Sequence, residues 1–400
     1  MPVPISPRIA AIAESATLAV SSKARALKAQ GIDVVDFGVG EPDFDTPEHI
    51  KHAAVKALAA GKTKYTPSAG TPQLRAAIAE KLKKDNGLDY APAQIIVSDG
   101  AKHSLFNTML TLVRPGDEVL IPSPYWVTYP EQVRLAGGSP VFVPCSPEKG
   151  YRLDAGTLAP FIRKGKTRVL VLNSPSNPTG AVIEPQELKR IGELCLANDV
   201  SVISDEIYEK LIYCGRQHAS VVALVPGLKE TSVVINGLSK AYAMTGWRIG
   251  YAAAPAAVAA AMSRLQDQST SNPNSIAQEA SVAALTGDQT CVETMRREFD
   301  ERRKLMLRLV REIPGLTAPE PEGAFYVFAG CAGLVGKTVA GVKIDGSMAL
   351  AQVCLEKANV AFVPGLAFGD DHAFRLSYAT GTDRITEGLR RIGELLATAK

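Results

Sequence analysis

Four apolar residues in unbroken succession, Val169-Leu170-Val171-Leu172, run through Asn173 into Ser174-Pro175-Ser176-Asn177-Pro178-Thr179-Gly180 and limit the fold more than any other feature. A strand that is apolar at every position has both faces buried, which is the habit of parallel strands covered by helices. Other runs follow the same plan. Ile95-Ile96-Val97-Ser98 leads into Asp99-Gly100-Ala101, Val200 to Ser204 leads into Asp205-Glu206-Ile207-Tyr208, and Ser232 to Asn236 precedes Ser239-Lys240. Glu118 to Ile121 and Val141 to Val143 add two more strands, and helices are predicted from the Gly100 turn to about Leu112 and from near Pro185. The chain reads as α/β, with its chemically active residues just past strand ends.

A length of 400 residues exceeds one ordinary core and points to two domains. From about Cys291 the character changes to a charged helix (Arg296 to Ile313), a strand (Phe325 to Phe328), a helix (Met348 to Ala358), a strand (Val360 to Val363) and the segment Phe374 to Ala379, an α+β pattern. With 46% hydrophobic and 21% charged residues the chain is compact and soluble in type. A net charge of +3 with no like-charge block gives no case for nucleic acid or an acidic membrane. The six cysteines form no Cys-x-x-Cys pair, so no metal site is expected and the thiols are read as reduced and packed. No signal peptide or membrane span is seen near the N-terminus, and the expected location is the cytoplasm.

Residues 1 to about 30 read as an arm and a helix, with Ser21 or Ser22 as cap and Gly31 as stop. Gly40, in a glycine-rich turn, leaves room for a ligand at the backbone or is an ordinary turn before the helix at Thr46-Pro47-Glu48. Thr71-Pro72 caps and starts a helix. The helix start at Gly100 and Ala101 is an anion seat, since its N–H groups are unpaired and the dipole is positive there. Trp126 can stack on a flat ring or pack in the core. Asn177, held ahead of Pro178, can donate an amide hydrogen or form a turn. Asp205 at a buried strand end needs a cationic partner or serves as a cap, and Tyr208 can face the same way. Lys240 is a candidate imine-forming amine with Arg248 as neighbouring cation, or an exposed loop lysine. Arg375, in an apolar strand, can grip a carboxylate bidentately or pair with a protein acid.

Ser239-Lys240-Ala241-Tyr242-Ala243-Met244-Thr245-Gly246-Trp247-Arg248 resembles the cofactor-lysine segment of the fold-type-I aminotransferases, which use pyridoxal 5'-phosphate (PLP). Gly40, Asn177, the Asp205/Tyr208 pair, Lys240/Arg248 and Arg375 resemble the family's other signatures in the same order. The resemblance implies a large PLP domain (46–290) with a mostly parallel seven-stranded sheet. It also implies a smaller α+β domain (291–400) joined by an N-terminal arm (1–45). It implies that Lys240 carries PLP as a Schiff base, with phosphate at Gly100, Ala101, Ser239 and Arg248 and with Lys102 among the cofactor-binding residues. Tyr65 is implied to come from the partner of a homodimer, Asp205 to meet the pyridine nitrogen, Tyr208 and Asn177 the ring oxygen, and Trp126 the ring face. Arg375, with Asn177 and Gly40, is implied to hold the substrate.

Within that family the chain is most similar to the prokaryotic aspartate aminotransferase branch, some members of which also act on prephenate. Ser15 and Lys102 match its distal-carboxylate positions, implying ping-pong transfer between aspartate and 2-oxoglutarate. At Ala13-Glu14 relatives commonly carry Lys-Pro, a departure that weighs against prephenate and, less strongly, against aspartate. The alternatives are a different amino donor, a PLP lyase on the same fold, and, least favoured, a PLP-fold effector domain of a transcription regulator, for which no DNA-binding module is seen.

Overall fold

The computed structural model describes residues 3–13 and 16–400. Its largest sheet has seven strands: β1 (Ile95–Asp99), β2 (Glu118–Ser123), β3 (Ser139–Pro144), β4 (Thr167–Asn173), β5 (Ser201–Asp205), β6 (Val233–Gly237) and β7 (Ile249–Ala253). They lie in the order β1-β7-β6-β5-β4-β2-β3, and only β7 runs against its neighbours. The other six therefore point one way and end along one edge.

Alternation along a strand sends neighbouring side chains to opposite faces, and here both faces are covered. Leu170, Leu172, Val202 and Val234 enter a core with the helices Pro72–Asn86, Pro185–Ala197 and Ser275–Thr286. Val169, Val171, Ile203, Val233 and Ile235 enter a second core with Ala101–Leu112 and Ala256–Asp267. Each such side chain contributes roughly 1.5–3 kcal/mol by leaving water. Polar residues are confined to the strand ends.

A third core joins the two ends of the chain: Val35 and Phe37 pack with Phe299, Phe325, Leu350, Leu376 and Leu389. Val35–Asp36 pairs in parallel with Val360–Ala361, and Tyr326–Gly330, Ala373–Ser377 and Val363–Pro364 make a three-stranded antiparallel sheet.

Several expected boundaries shift. The N-terminal helix begins at Ala16, so Ser21 and Ser22 lie inside it and neither is its cap. The charged helix starts at Thr290, not Arg296, because Val292 and Met295 carry its buried stripe back from Phe299, and Asp288, just before it, accepts the Thr290 N–H at 3.0 Å. The single strand expected over Val360 to Val363 is two short ones, Val360–Ala361 and Val363–Pro364, in different sheets. Four cysteines are buried as expected, but Cys214 is exposed and Cys291 half-buried. Among the described residues no helix is long and apolar enough to cross a membrane.

Candidate active site

The strand edge where β1, β2, β4, β5 and β6 end borders a cleft of about 660 Å³ lined by Gly40, Ala101, Lys102, Trp126, Asn177, Asp205, Tyr208, Ser239, Lys240, Arg248 and Arg375. Ligands in open α/β sheets bind outside these carboxyl ends. Gly100 adjoins the cleft. Tyr65 does not line it; its side chain is 92% exposed on the surface. Ser15 and Glu14 lie outside the described residues.

Lys240 follows β6 in a tight loop, and its ammonium donates to the Gly40 carbonyl at 2.6 Å. The rings of Phe325 and Tyr208 lie 5.7 and 6.0 Å from Nζ. Burial, aided by the Arg375 and Arg248 charges and opposed by Glu41 and Asp205, holds the amine down at about 8. The lysine loop is tied to the segment after Gly40 by three bonds: Thr245 Oγ1 to Glu41 Oε2 at 2.7 Å, Thr46 Oγ1 to the Ala243 carbonyl at 2.7 Å, and Trp247 Nε1 to Thr46 Oγ1 at 2.9 Å.

Asp205 ends β5 and is buried. Burial pushes its carboxyl up to about 6, against the Tyr129 hydroxyl, which donates to Oδ2 at 2.7 Å, and the Ile207 N–H, which donates to Oδ1 at 3.2 Å. The cationic partner expected for Asp205 is absent among the described residues, and a phenol stands in its place. Tyr208 packs beside it, its hydroxyl 2.9 Å from that of Tyr326. Asn173, at the end of β4, donates to the Asp205 carbonyl at 3.0 Å and accepts the Asn177 N–H at 2.8 Å, so one side chain fixes both neighbours.

The helix start read as an anion seat is uncapped and faces Arg248. Gly100 has φ +87°, no side chain caps the helix that starts at Ala101, and Arg248 Nη2 donates to the Asp99 carbonyl at 3.3 Å. A Cβ on Gly100 would stand 2.3 Å from Arg248 Nη2, so the guanidinium lies directly against a backbone without a side chain. Arg248 itself adopts φ +56°, a conformation costly for a non-glycine residue. Lys102 lies over the Trp126 ring at 5.0 Å, and its ammonium is pushed down by burial and by Arg248.

Arg375 is buried. It donates to Asn177 Oδ1 at 2.9 Å and to the Gly38 carbonyl at 2.8 Å, its guanidinium carbon lies 4.3 Å from the Tyr326 ring centroid, and Nε has no partner. No described acid pairs with it; Asp36, in the same cleft, accepts the Gly38 N–H at 2.8 Å instead.

Tyr129, Asn173, Gly38, Glu41 and Tyr326 went unrecognised in the sequence. Tyr129 carried a local signal, since it falls three residues after Trp126 and on the helix Thr128–Leu135, and so did Asn173, which ends the Val169 to Leu172 run and accepts the N–H of Asn177 four residues on. The rest become visible only through long-range contacts.

Residues 32–392 match the family model for class I and II aminotransferases. The chain is 48% identical over 385 residues to the aspartate aminotransferase of Geobacillus stearothermophilus, covering 96% of this chain and 97% of that one. It is 46% identical over 390 residues to the aspartate/prephenate aminotransferase of Cereibacter sphaeroides, covering 97% of each. The aspartate aminotransferase of Rhizobium meliloti superposes with a TM-score of 0.96 at 43% identity over the whole of both chains. That of Thermus thermophilus with maleate superposes with a TM-score of 0.93, covering 98% of this chain. The fold is that of these enzymes, and the chain belongs to the class I and II aminotransferases.

Proposed function

We propose that this transaminase moves the amino group between aspartate and 2-oxoglutarate with PLP as its cofactor. The residues fit that group. An anion seat lacking a Cβ at Gly100 and facing Arg248 suits a phosphate. A buried carboxyl at Asp205 without a cation suits a pyridinium, and a lysine whose amine is held at about 8 suits an aldehyde. PLP, when bound, supplies an electrophilic carbon and a ring that takes up the electron pair of a breaking Cα–H bond.

The rest is done by the chain. Gly100, Ala101, Lys102, Ser239 and Arg248 would hold the phosphate, and Trp126 would cover the ring. Asp205, fixed by Tyr129, Ile207 and Asn173, would present its carboxylate to the ring nitrogen, while Tyr208 and Asn177 would present polar atoms to the ring oxygen. Arg375 takes the substrate α-carboxylate, which orients the Cα–H bond toward Lys240. Lys240 then removes and returns the proton as general base and acid. Its amine at about 8, against the usual 10.4, gives roughly 10²-fold more neutral amine near pH 7. The Gly40 carbonyl, 2.6 Å from Nζ, holds the amine between proton transfers.

The observation that carries the reading is that Lys240, Asp205 and an Arg375 with no acid partner among the described residues line one cleft. We further read the site as shared within a homodimer, with Tyr65 reaching the partner's phosphate, and the chain as divided near residues 45 and 290. Lys102 and Ser15 are read as the ends that meet the distal carboxylate. Stoichiometric loss of the PLP absorbance on adding aspartate alone, restored by 2-oxoglutarate, tests transamination. Continuous turnover without an oxoacid would instead indicate elimination. A parallel assay with prephenate tests the second activity for which the Cereibacter relative is named; conversion of prephenate at a rate near that of 2-oxoglutarate would overturn the expectation drawn from Ala13-Glu14.

A further inference from the structure

Behind β5, on the side away from the cleft, lies a cluster of buried ionisable groups to which the reaction assigns no task. Lys81 and Asn86 come from the helix Pro72–Asn86, Ser204 and Glu206 flank Asp205, Glu209 follows in the next turn, and His218 and Ser220 come from the loop beyond. Glu206 Oε1 accepts from Ser204 at 2.8 Å and Ser220 at 2.6 Å, and Oε2 lies 2.9 Å from His218 Nε2. Glu209 pairs with Lys81 and accepts from Asn86 at 2.6 Å, while Lys81 also donates to Asn86 Oδ1 at 2.7 Å.

Strand alternation accounts for the placement: Ser204 and Glu206 face the cluster, so Asp205 between them faces the cleft. Pinning the two flanking residues fixes the middle one. Charges this far from water must balance, because a single uncompensated one is costly. Two carboxylates, one ammonium and one imidazole balance only when the imidazole holds a second proton.

We propose that the Lys81–Glu209 and His218–Glu206 pairs form a neutral buried clamp that positions Asp205 and Tyr208 and sets the charge Asp205 feels from behind the sheet. The proposal rests on the functional reading, in which Asp205 must ionise to receive PLP. Burial works against the His218 proton, but the Glu206 and Glu209 carboxylates outweigh it and Lys81 only partly offsets them, so the imidazole is raised overall. Arg216, on the same loop, is turned away to Glu184 and Glu322. Asp85 and Lys210 pair with each other outside the cluster, and the Tyr90, Tyr242 and Tyr251 phenols feel the glutamates and are raised, chiefly by burial. Glu206, Glu209 and His218 place donors within 4.8 Å of one another, as a metal site would, but Lys81 already supplies the cation at Glu209.

The test is the pH dependence of the PLP dissociation constant of full-length protein freed of cofactor. Binding weakens below the pH at which Asp205 protonates. His218→Gln leaves the clamp negative and should move that limit up by on the order of half a pH unit, while Glu209→Gln leaves it positive and should move it down as far. The paired change Lys81→Met with Glu209→Gln keeps the count and should leave the limit in place. A purely structural role would not give opposite signs, so equal-signed shifts, or none, overturn the proposal. If one single variant does not fold, the other still decides: a shift of its expected sign together with an unmoved limit in the paired variant supports the charge count, and no shift, or a shift of the other sign, overturns it. Wild-type protein that binds no PLP would sink the functional reading alone. The clamp is then judged in cofactor-free protein, where wild type should lose more stability than His218→Gln as pH rises through the imidazole range; equal losses overturn it. A melting temperature of the wild type raised by zinc alone would mark a metal site and overturn it too.

Discussion

Arg375 Nη1 donates to Asn177 Oδ1 at 2.9 Å, joining the last strand of the small antiparallel sheet to the loop after β4 across 198 positions of sequence. The contact orients the guanidinium without neutralising it, and its Nε stays buried without a partner. On the proposed reading, an incoming α-carboxylate completes the ion pair. Arg375→Lys keeps the charge but loses the two-pronged geometry, at a loss of about 1.5–3 kcal/mol for a hydrogen bond to a charged group. The expected outcome is a kcat/KM for aspartate lower by roughly 10- to 100-fold, with the PLP dissociation constant unchanged. A change in PLP binding alone would remove Arg375 from the carboxylate site.

Gly100 and Gly250 meet at the start of the helix Ala101–Leu112, and alanine at each should fail differently. At Gly100 the new Cβ falls 2.3 Å from the Arg248 side chain, which can swing away. PLP binding should weaken by on the order of 10-fold or more, and the fold should lose about 1–3 kcal/mol, because φ +87° with ψ 158° is a backbone that essentially only glycine adopts. At Gly250 the Cβ falls 2.1 Å from the Ala101 backbone nitrogen, which cannot move without shifting the helix start. Gly250→Ala should lower the melting temperature even without cofactor. Calorimetry with and without PLP separates the two.

Strand positions and their terminal residues were legible because each is a local signal: unbroken apolar runs gave the parallel sheet, and the residues following them gave Asn177, Asp205 and Lys240. Partners across the fold were not. Asp205 asks for a neighbour in the sequence, but that this is Tyr129, 76 positions earlier, follows only from the packing of the helix after β2 against β5. Gly40 was chosen for its missing Cβ, whereas its carbonyl makes the bond to Lys240. The early start of the helix at Thr290 was hidden for the opposite reason: polar residues such as Thr294 and Glu293 sit on its solvent side, and the initiating Asp288 resembles an ordinary turn residue.

Asp205 should make the cofactor-free protein less stable at neutral pH. The folded carboxyl keeps its proton up to about 6, whereas 3.8 is its ordinary value. Stability is therefore full below the ordinary value and is lost as pH rises through 6, by about 3 kcal/mol for some two units. Asp205→Asn removes the ionisation and can still accept the Tyr129 hydrogen bond. Urea unfolding without PLP should find the variant more stable than wild type at pH 8 by up to that amount, with the advantage gone near pH 4, while PLP binding is weakened. Equal stability at pH 8 would show that Asp205 is not strained by ionisation in the empty cleft.

Tyr65 tests the shared site. Its side chain is 92% exposed, so removing it should cost the fold almost nothing, and any effect on PLP binding must come through a partner subunit. Tyr65→Ala alone should bind PLP weakly, and Lys240→Ala alone should be inactive. In a dimer containing one of each, one site holds Lys240 from the first subunit and Tyr65 from the second, and is intact; the other lacks both. Subunits mixed in equal amounts and allowed to exchange form hybrids in half the dimers, so activity at limiting PLP should return to roughly a quarter of wild type. Sites built within single subunits would give no recovery above the sum of the two parents, and that result would return Tyr65 to the surface.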